Sequence, residues 1–482
     1  MDSPISLMNP QDPRQQRKSS PWKLLVISLL ILLLWIPLLM VRSLIRERQH
    51  RRDTVVESVA QSWGRGQTLG GPVLTVPYLV RTRDARGLVT TVRQLAYFLP
   101  ETLRVEGTVA PERRSRGIFE VVVYRADLRW AGTFARPSFA SWSIPPDDIL
   151  WDEAFLTVGV PDMRGIRRGT VLHWQGRPLP LEPGGGEAGL WGSGLRVAVP
   201  DLAPAALAAA PEVGTTEEPE EPYAFRFDLS LDGSGQLSFL PFGKQTTVTL
   251  RSSWRAPSFI GAFLPETRKV GTDGFQAVWN VAYFGRSYPQ QWRSPDTEQV
   301  APQYALQAST FGVDLYLPVD VYQKSERSVK YGLLFLVLTF LTFFLYEVFS
   351  PFSLHPVQYL LVGAALCLFY LLLLSISEHV PFGTAYAVAS AATIALIGGY
   401  SLAILRGKLR ALAMSGVLAL LYGYLYVLLQ SEDFALLLGS IGLFLILGLV
   451  MFVTREIDWY GTRPEPLSPT SPPPVSSMES AR

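Results

Sequence analysis

Histidine, cysteine and paired carboxylates build most catalytic and metal centres, and this chain has few of the first two. It holds four histidines and one cysteine in 482 residues. A lone thiol excludes an intrachain disulfide. His50 and His173 lie in the long middle segment, which has no cysteine, so a zinc site of the usual His/Cys ligands is not supported. A serine–histidine pair would need His173, in Val171-Leu172-His173-Trp174, yet no Gly-x-Ser-x-Gly turn accompanies it. A strand histidine packed beside tryptophan is the simpler reading. Gly192-Ser193-Gly194 lacks the flanking strand and helix of a phosphate cradle and reads as loop. No catalytic, cofactor-binding or metal-binding residue is assigned, and no cofactor is expected.

Ionisable groups do gather at the ends of apolar runs. Glu378 and His379 follow one run and Glu432 and Asp433 separate two others, so all four are expected on one membrane face. Such a cluster suits docking or a proton-sensitive response. Ordinary interfacial polarity accounts for the same residues. His355 and His379 cannot pair, because 24 positions span about 36 Å of helix at 1.5 Å per residue.

The elements that position these residues are long apolar stretches at 24–41, 331–349, 357–375, 382–405, 411–430 and 434–453. Each is close to the ~20 residues that a helix needs to cross a ~30 Å hydrocarbon core. The first follows Arg14, Arg17, Lys18 and Lys23, is longer than the ~7–15-residue core of a signal peptide, and has no nearby small-x-small site. It is read as an uncleaved anchor. Residues 1–23 and 454–482 are then cytoplasmic, the latter a Pro/Ser-rich disordered tail. The basic loop Arg406-Gly407-Lys408-Leu409-Arg410 and the acidic turn Glu432-Asp433 place the N-terminus inside, although Arg42, Arg46, Arg48, Arg51 and Arg52 oppose this. The single cysteine, Cys367, is mid-span, which leaves the exported domain without a thiol.

Residues 42–330 have a different character. Short runs such as Val73–Tyr78, Phe119–Tyr124 and Phe225–Leu229 alternate with Gly and Pro, and long helical periodicity is absent. Phe98-Leu99-Pro100-Glu101-Thr102 recurs as Phe263-Leu264-Pro265-Glu266-Thr267, a match short enough for coincidence. A Gly- and Glu-rich loop near 183–222 leaves open whether the region is one body or two lobes. The expected fold is a multi-pass α-helical membrane protein of six transmembrane helices, with a large β-rich extracytoplasmic domain between helices 1 and 2.

Gly383, Ala387, Ala391, Ala395 and Gly399 form a small-residue stripe suited to internal packing or to a homo-oligomer. The chain is 17% charged, against about 25% in soluble proteins, with mean hydropathy +0.20. With 43 basic and 41 acidic residues there is no excess charge for nucleic acid. The lipid bilayer is the expected partner, and any envelope protein partner is unidentified.

Several stretches resemble the CreD family of bacterial inner-membrane proteins. They are Val319–Tyr322, Arg327–Tyr331, Leu338–Phe340, Phe343–Glu347, Leu354–Gly363, Phe369–His379, Leu428–Leu437 and Thr454–Tyr460, with weaker matches at Gly71–Leu74, Ser253–Phe259 and Gly274–Trp279. The resemblance implies an exported domain and a role in cell-envelope integrity. In some bacteria it also implies induction through a two-component system, with effects on envelope stress, colicin tolerance and β-lactam susceptibility. It assigns no active-site residue. The leading expectation is a non-enzymatic envelope protein. The alternative is a transporter or lipid-handling protein gated by Glu378, His379, Glu432 and Asp433, which is disfavoured because no charge lies mid-span. A sensor is disfavoured by the small size of the cytoplasmic segments.

Overall fold

The computed structural model describes residues 20–83, 89–184, 192–199, 202, 222–294, 302–315, 321–349, 354–405, 407–431 and 434–455. Most of the loop near 183–222, the tail after Arg455, and Glu432 and Asp433 lie outside the described residues. The chain divides into two compact units, residues 1–42 with 323–482 and residues 43–322.

Among the described residues, six helices are long and apolar enough to cross a membrane: α1 (Ser20–Trp63), α4 (Gly332–Phe349), α5 (Pro356–Ser377), α6 (Phe382–Ile404), α7 (Lys408–Gln430) and α8 (Ala435–Thr454). Two shorter helices, α2 (Pro302–Ala308) and α3 (Val321–Lys330), precede α4. A helix satisfies its own backbone in lipid, so what varies is how each one ends. His355 caps α5: Val357 N–H donates to His355 Nδ1 at 3.3 Å and the His355 N–H donates to Gln358 Oε1 at 3.0 Å. Pro356 sits at the first turn, where its missing N–H costs nothing.

The β-rich region does lie between the first and second spans, but it begins later than its composition suggests. α1 runs for 44 residues, so Arg42–Trp63 is helical. Its polar half is supported by pairs one turn apart, Glu47 with Arg51 at 2.6 Å and Glu57 with Gln61 at 3.0 Å. Such pairs stabilise a helix without an apolar stripe to reveal it.

The described strands form two sheets. The nine-stranded sheet holds β1 (Gln67–Arg83), β2 (Val89–Phe98), β5 (Phe155–Gly159), β8 (Glu182–Pro183), β9 (Gly194–Ala198), β11 (Gln236–Phe239), β13 (Ser258–Gly261), β16 (Gln291–Ser294) and β17 (Phe311–Asp314). The eight-stranded sheet has the order β14-β15-β12-β3-β4-β10-β6-β7. Its members are β3 (Thr102–Arg116), β4 (Phe119–Phe134), β6 (Val171–Trp174), β7 (Arg177–Pro180), β10 (Tyr223–Ser234), β12 (Gln245–Ser252), β14 (Thr267–Gly271) and β15 (Gly274–Ala282). Strand β10 shows why they stack: Tyr223, Phe225, Phe227, Leu229 and Leu231 are buried while Ala224, Arg226 and Asp228 alternate outward. Rings from the two sheets meet in one core, Trp130 of β4 with Phe239 of β11 at 6.0 Å and Trp279 of β15 with Phe311 of β17 at 5.9 Å. The division is therefore into two packed sheets, each drawing strands from both ends of the segment.

The repeated pentapeptide acquires a structural meaning. Phe98–Thr102 carries the chain from β2 into β3 and Phe263–Thr267 from β13 into β14, each a passage from the nine-stranded to the eight-stranded sheet. A third Phe-Leu-Pro, at Phe239-Leu240-Pro241, makes the same passage from β11 into β12. β12 lies parallel to β3 with Gln245 opposite Thr102, so two of the crossovers start adjacent strands in register.

Candidate functional site

Glu378 and His379 end α5. Glu378 is half-buried, and His379 is exposed with Nδ1 3.1 Å from the Ser375 carbonyl. Their expected companions Glu432 and Asp433 lie outside the described residues, so the four are not seen as a cluster. The described residues at this end of the bundle are brought together by α3 instead. Lys324 Nζ is 3.5 Å from Gln430 Oε1 at the end of α7 and 5.8 Å from the Phe382 ring at the start of α6. Gln430 Nε2 then donates to the Tyr426 hydroxyl at 2.9 Å. Sequence reasoning missed Lys324 because α3 is polar and outside every apolar run.

Beneath this end the interior is filled with rings. Phe369 packs on Tyr422 at 4.6 Å and on Tyr386 at 5.6 Å, Phe335 on Tyr422 at 5.6 Å, and Tyr386 on Tyr426 at 5.2 Å. The Tyr386 hydroxyl donates to the Tyr422 carbonyl at 2.6 Å. A hollow of about 10 Å³ near Phe343, Gln358 and Tyr359 is no larger than one water needs.

The small-residue stripe on α6 faces outward. Ala387, Ala391, Ala395 and Gly399 are exposed, and Gly383 is half-buried, with the Tyr426 hydroxyl 3.2 Å from where its Cβ would be. Internal contact on α6 runs through Ala385, Tyr386, Ala389, Thr393, Ile397 and Gly398. The close approaches between helices occur elsewhere: Leu34 of α1 sits where a Cβ on Gly363 would fall, at 2.2 Å, and Leu38 3.1 Å from one on Gly332. Cys367 is buried on the same contact, its Sγ donating weakly to the Leu34 carbonyl at 3.7 Å.

Ion pairs hold α1 at both ends of this contact. Lys23 pairs with Glu347 of α4, which also accepts from the Tyr359 hydroxyl at 3.3 Å. Arg42 pairs with Glu326 of α3 at 3.2 Å. Lys23 and Arg42 are nineteen positions apart on α1, about 28 Å of helix. That matches the ~30 Å hydrocarbon thickness, so each pair sits at a polar boundary.

Within the other unit, the far end of α1 is locked into the sandwich. Gly64 turns the chain at φ +147°, and a Cβ there would meet the Asp232 carbonyl at 2.6 Å. Asp162 accepts from the backbone N–H of Arg65 at 3.1 Å, the N–H of Arg164 at 3.2 Å, and the Arg164 guanidinium at 2.8 and 2.9 Å. Arg164 Nη1 also donates to the Gln61 carbonyl in the last turn of α1 at 2.7 Å. Arg114 lies over the Trp63 ring at 3.8 Å. Together these groups satisfy the helix end that its backbone leaves open.

Hydrogen bonds from Arg164 and from the two backbone N–H groups hold the Asp162 carboxyl down at about 2, against the opposing effect of burial. A lowered carboxylate contributes stability above its unfolded pKa and loses it as pH falls through the folded value. Allowing for the water that reaches Arg164, Asp162→Asn is expected to cost about 1–2 kcal/mol at pH 7. The deficit should shrink between about pH 4 and pH 2. Acid unfolding followed by far-ultraviolet circular dichroism checks this; a pH-independent deficit would contradict the assigned role.

His173 is a half-buried member of β6, opposite Arg226 of β10, and Ser193 Oγ donates to the Val160 and Pro161 carbonyls at 2.7 and 2.8 Å. Both hold strands. Among the described residues no group of three or more His, Cys, Asp or Glu converges as a metal site would require.

The architecture defines a class: a multi-pass membrane protein with a two-sheet β domain between its first and second spanning helices. Residues 19–460 match the family described as inner membrane protein CreD. The chain is 35% identical to the inner membrane protein CreD of Escherichia coli (strain K12) over 447 residues, 91% of this chain and 93% of that protein. It belongs to the CreD family, as its motifs implied, and is a multi-pass inner-membrane protein.

Proposed function

We propose that this protein contributes to cell-envelope integrity and the envelope stress response as a non-enzymatic component, with its β domain in the periplasm and both termini in the cytoplasm. One observation carries the reading: α1 is a single helix that serves as a membrane span in one half and, in the other, as a part of the β domain held by a hydrogen bond from Arg164 and a cation–π contact from Arg114. The chain therefore passes from the membrane span into the β domain as helix, with no Gly/Ser-rich linker between them. Lys408 and Arg410, in the first turn of α7, support the orientation.

Deleting the gene and challenging cells with detergent and envelope-targeting antibiotics under inducing conditions tests this. Raised permeability is expected, restored by the wild-type gene and poorly restored by Asp162→Ala at equal membrane level. Unchanged permeability in the deletion strain overturns the reading. Reporters fused after Gly64, Gly407 and Tyr460 test orientation, with only the first expected outside the cytoplasm. Glu378→Gln combined with Glu432→Gln should leave the phenotype at wild-type level; its loss at normal protein level would instead favour a polar gate built from Glu378, His379, Glu432 and Asp433.

A further inference from the structure

The three Phe-Leu-Pro crossovers meet around one buried cation. Gln290 Nε2 donates to the Pro100 carbonyl of the first at 2.6 Å, and the Tyr288 hydroxyl donates to the Pro241 carbonyl of the second at 3.0 Å. Phe263 of the third packs against Gly285, its ring 3.1 Å from where a Cβ would be. Between Gly285 and Tyr288 sits Arg286, only 9% exposed. Its guanidinium lies 4.5 Å from the Tyr288 ring centre and 5.2 Å from that of Tyr283, and Nη2 donates to Gln290 Oε1. Nε and Nη1 are buried without a hydrogen bond of normal geometry, the guanidinium's neighbours are the tyrosines Tyr288 and Tyr283, and no carboxylate pairs with it among the described residues.

A buried cation with two donors lacking a well-formed hydrogen bond is costly, and the faces of two tyrosine rings offset only part of that cost. Burial pushes the Arg286 guanidinium's pKa down, which an approaching anion would reverse. Beside it the surface is apolar where surfaces are usually polar. Phe284 is 94% exposed and Leu264 is 68% exposed, and the Phe284 ring touches Tyr283 at 5.6 Å between centres. A guanidinium short of acceptors next to exposed apolar side chains matches one ligand chemistry, an oxyanion carried on a hydrocarbon chain.

We propose that the Arg286 turn is a binding site for an anionic glycerophospholipid, its phosphate accepting from Arg286 and its acyl chains lying over Phe284 and Leu264. Tyr283, half-exposed on a single 3₁₀ turn, swings aside to admit the headgroup. The rest of the frame stays in place, because Gln290 and Tyr288 are held by crossover carbonyls.

The test uses the full chain in a non-ionic detergent, titrated with dihexanoyl phosphatidylglycerol and followed by calorimetry. Saturable binding is expected. Arg286→Gln should weaken it by about tenfold or more, the value of one charge-assisted hydrogen bond. Phe284→Asp guards against misfolding as the cause, since that side chain is almost wholly in water; it should weaken binding comparably while leaving thermal unfolding unchanged. Equal affinity in wild type and Phe284→Asp overturns the proposal. So does equal affinity for dihexanoyl phosphatidylcholine, or binding of inorganic phosphate as tight as that of the lipid, which would make the site one for free phosphate.

Discussion

Trp279→Ala is expected to cost the β domain about 3–5 kcal/mol, the usual range for removing a large buried ring. Trp279 is fully buried on β15 and meets Phe259 at 5.7 Å and Phe311 at 5.9 Å, so its ring joins the two sheets. Neighbouring rings cannot collapse into the space without pulling β13 and β17 from register. For a domain of this size the loss corresponds to roughly 10 °C in Tm. Thermal unfolding followed by near-ultraviolet circular dichroism measures it. Trp279→Phe should recover most of the loss, because the indole N–H has no acceptor among the described residues and its removal leaves nothing unpaired. An unchanged Tm in Trp279→Ala would mean the sheets do not share this core.

Lys23→Met is expected to be nearly as damaging to the membrane bundle. It leaves the Glu347 side chain, 9% exposed, without its cation, and breaking one side of such a pair costs about 3–5 kcal/mol. Lys23→Met with Glu347→Gln removes both charges and keeps an acceptor for the Tyr359 hydroxyl, so most of the stability should return. Unfolding of the purified protein by increasing fractions of a denaturing detergent gives the comparison. If the two changes add without coupling, the ion pair does not hold α1 against α4.

The legible parts of the fold are those in which a residue answers to its solvent. A span of about twenty apolar residues is imposed by hydrocarbon thickness, so 357–375 and α5, Pro356–Ser377, nearly coincide. Strand β10 was visible in Phe225–Leu229 because alternate residues face core and water. The polar half of α1 was not legible, because its support is charge pairing rather than an apolar stripe, and it reads like loop. The outward turn of the α6 stripe was also hidden. Small residues fit a packed face and a lipid face equally, and only the rings of Tyr386 and Tyr422 decide which side of α6 is inside.

The candidate site divides in the same way. Glu378 and His379 could be placed from sequence at the end of a span, since position along an apolar run sets depth in the bilayer. That Lys324 would reach Gln430, 106 residues later, could not, nor that Asp162 would close the end of a helix 99 residues before it. By itself the sequence determined six spans, a β-rich insert and family membership, all of which follow from local pattern and motif. Only the tertiary structure decided that three Phe-Leu-Pro crossovers surround Arg286 and that two sheets share one core. Strand order and buried partners depend on which distant segments pack together, and that is settled by the summed burial of the whole chain.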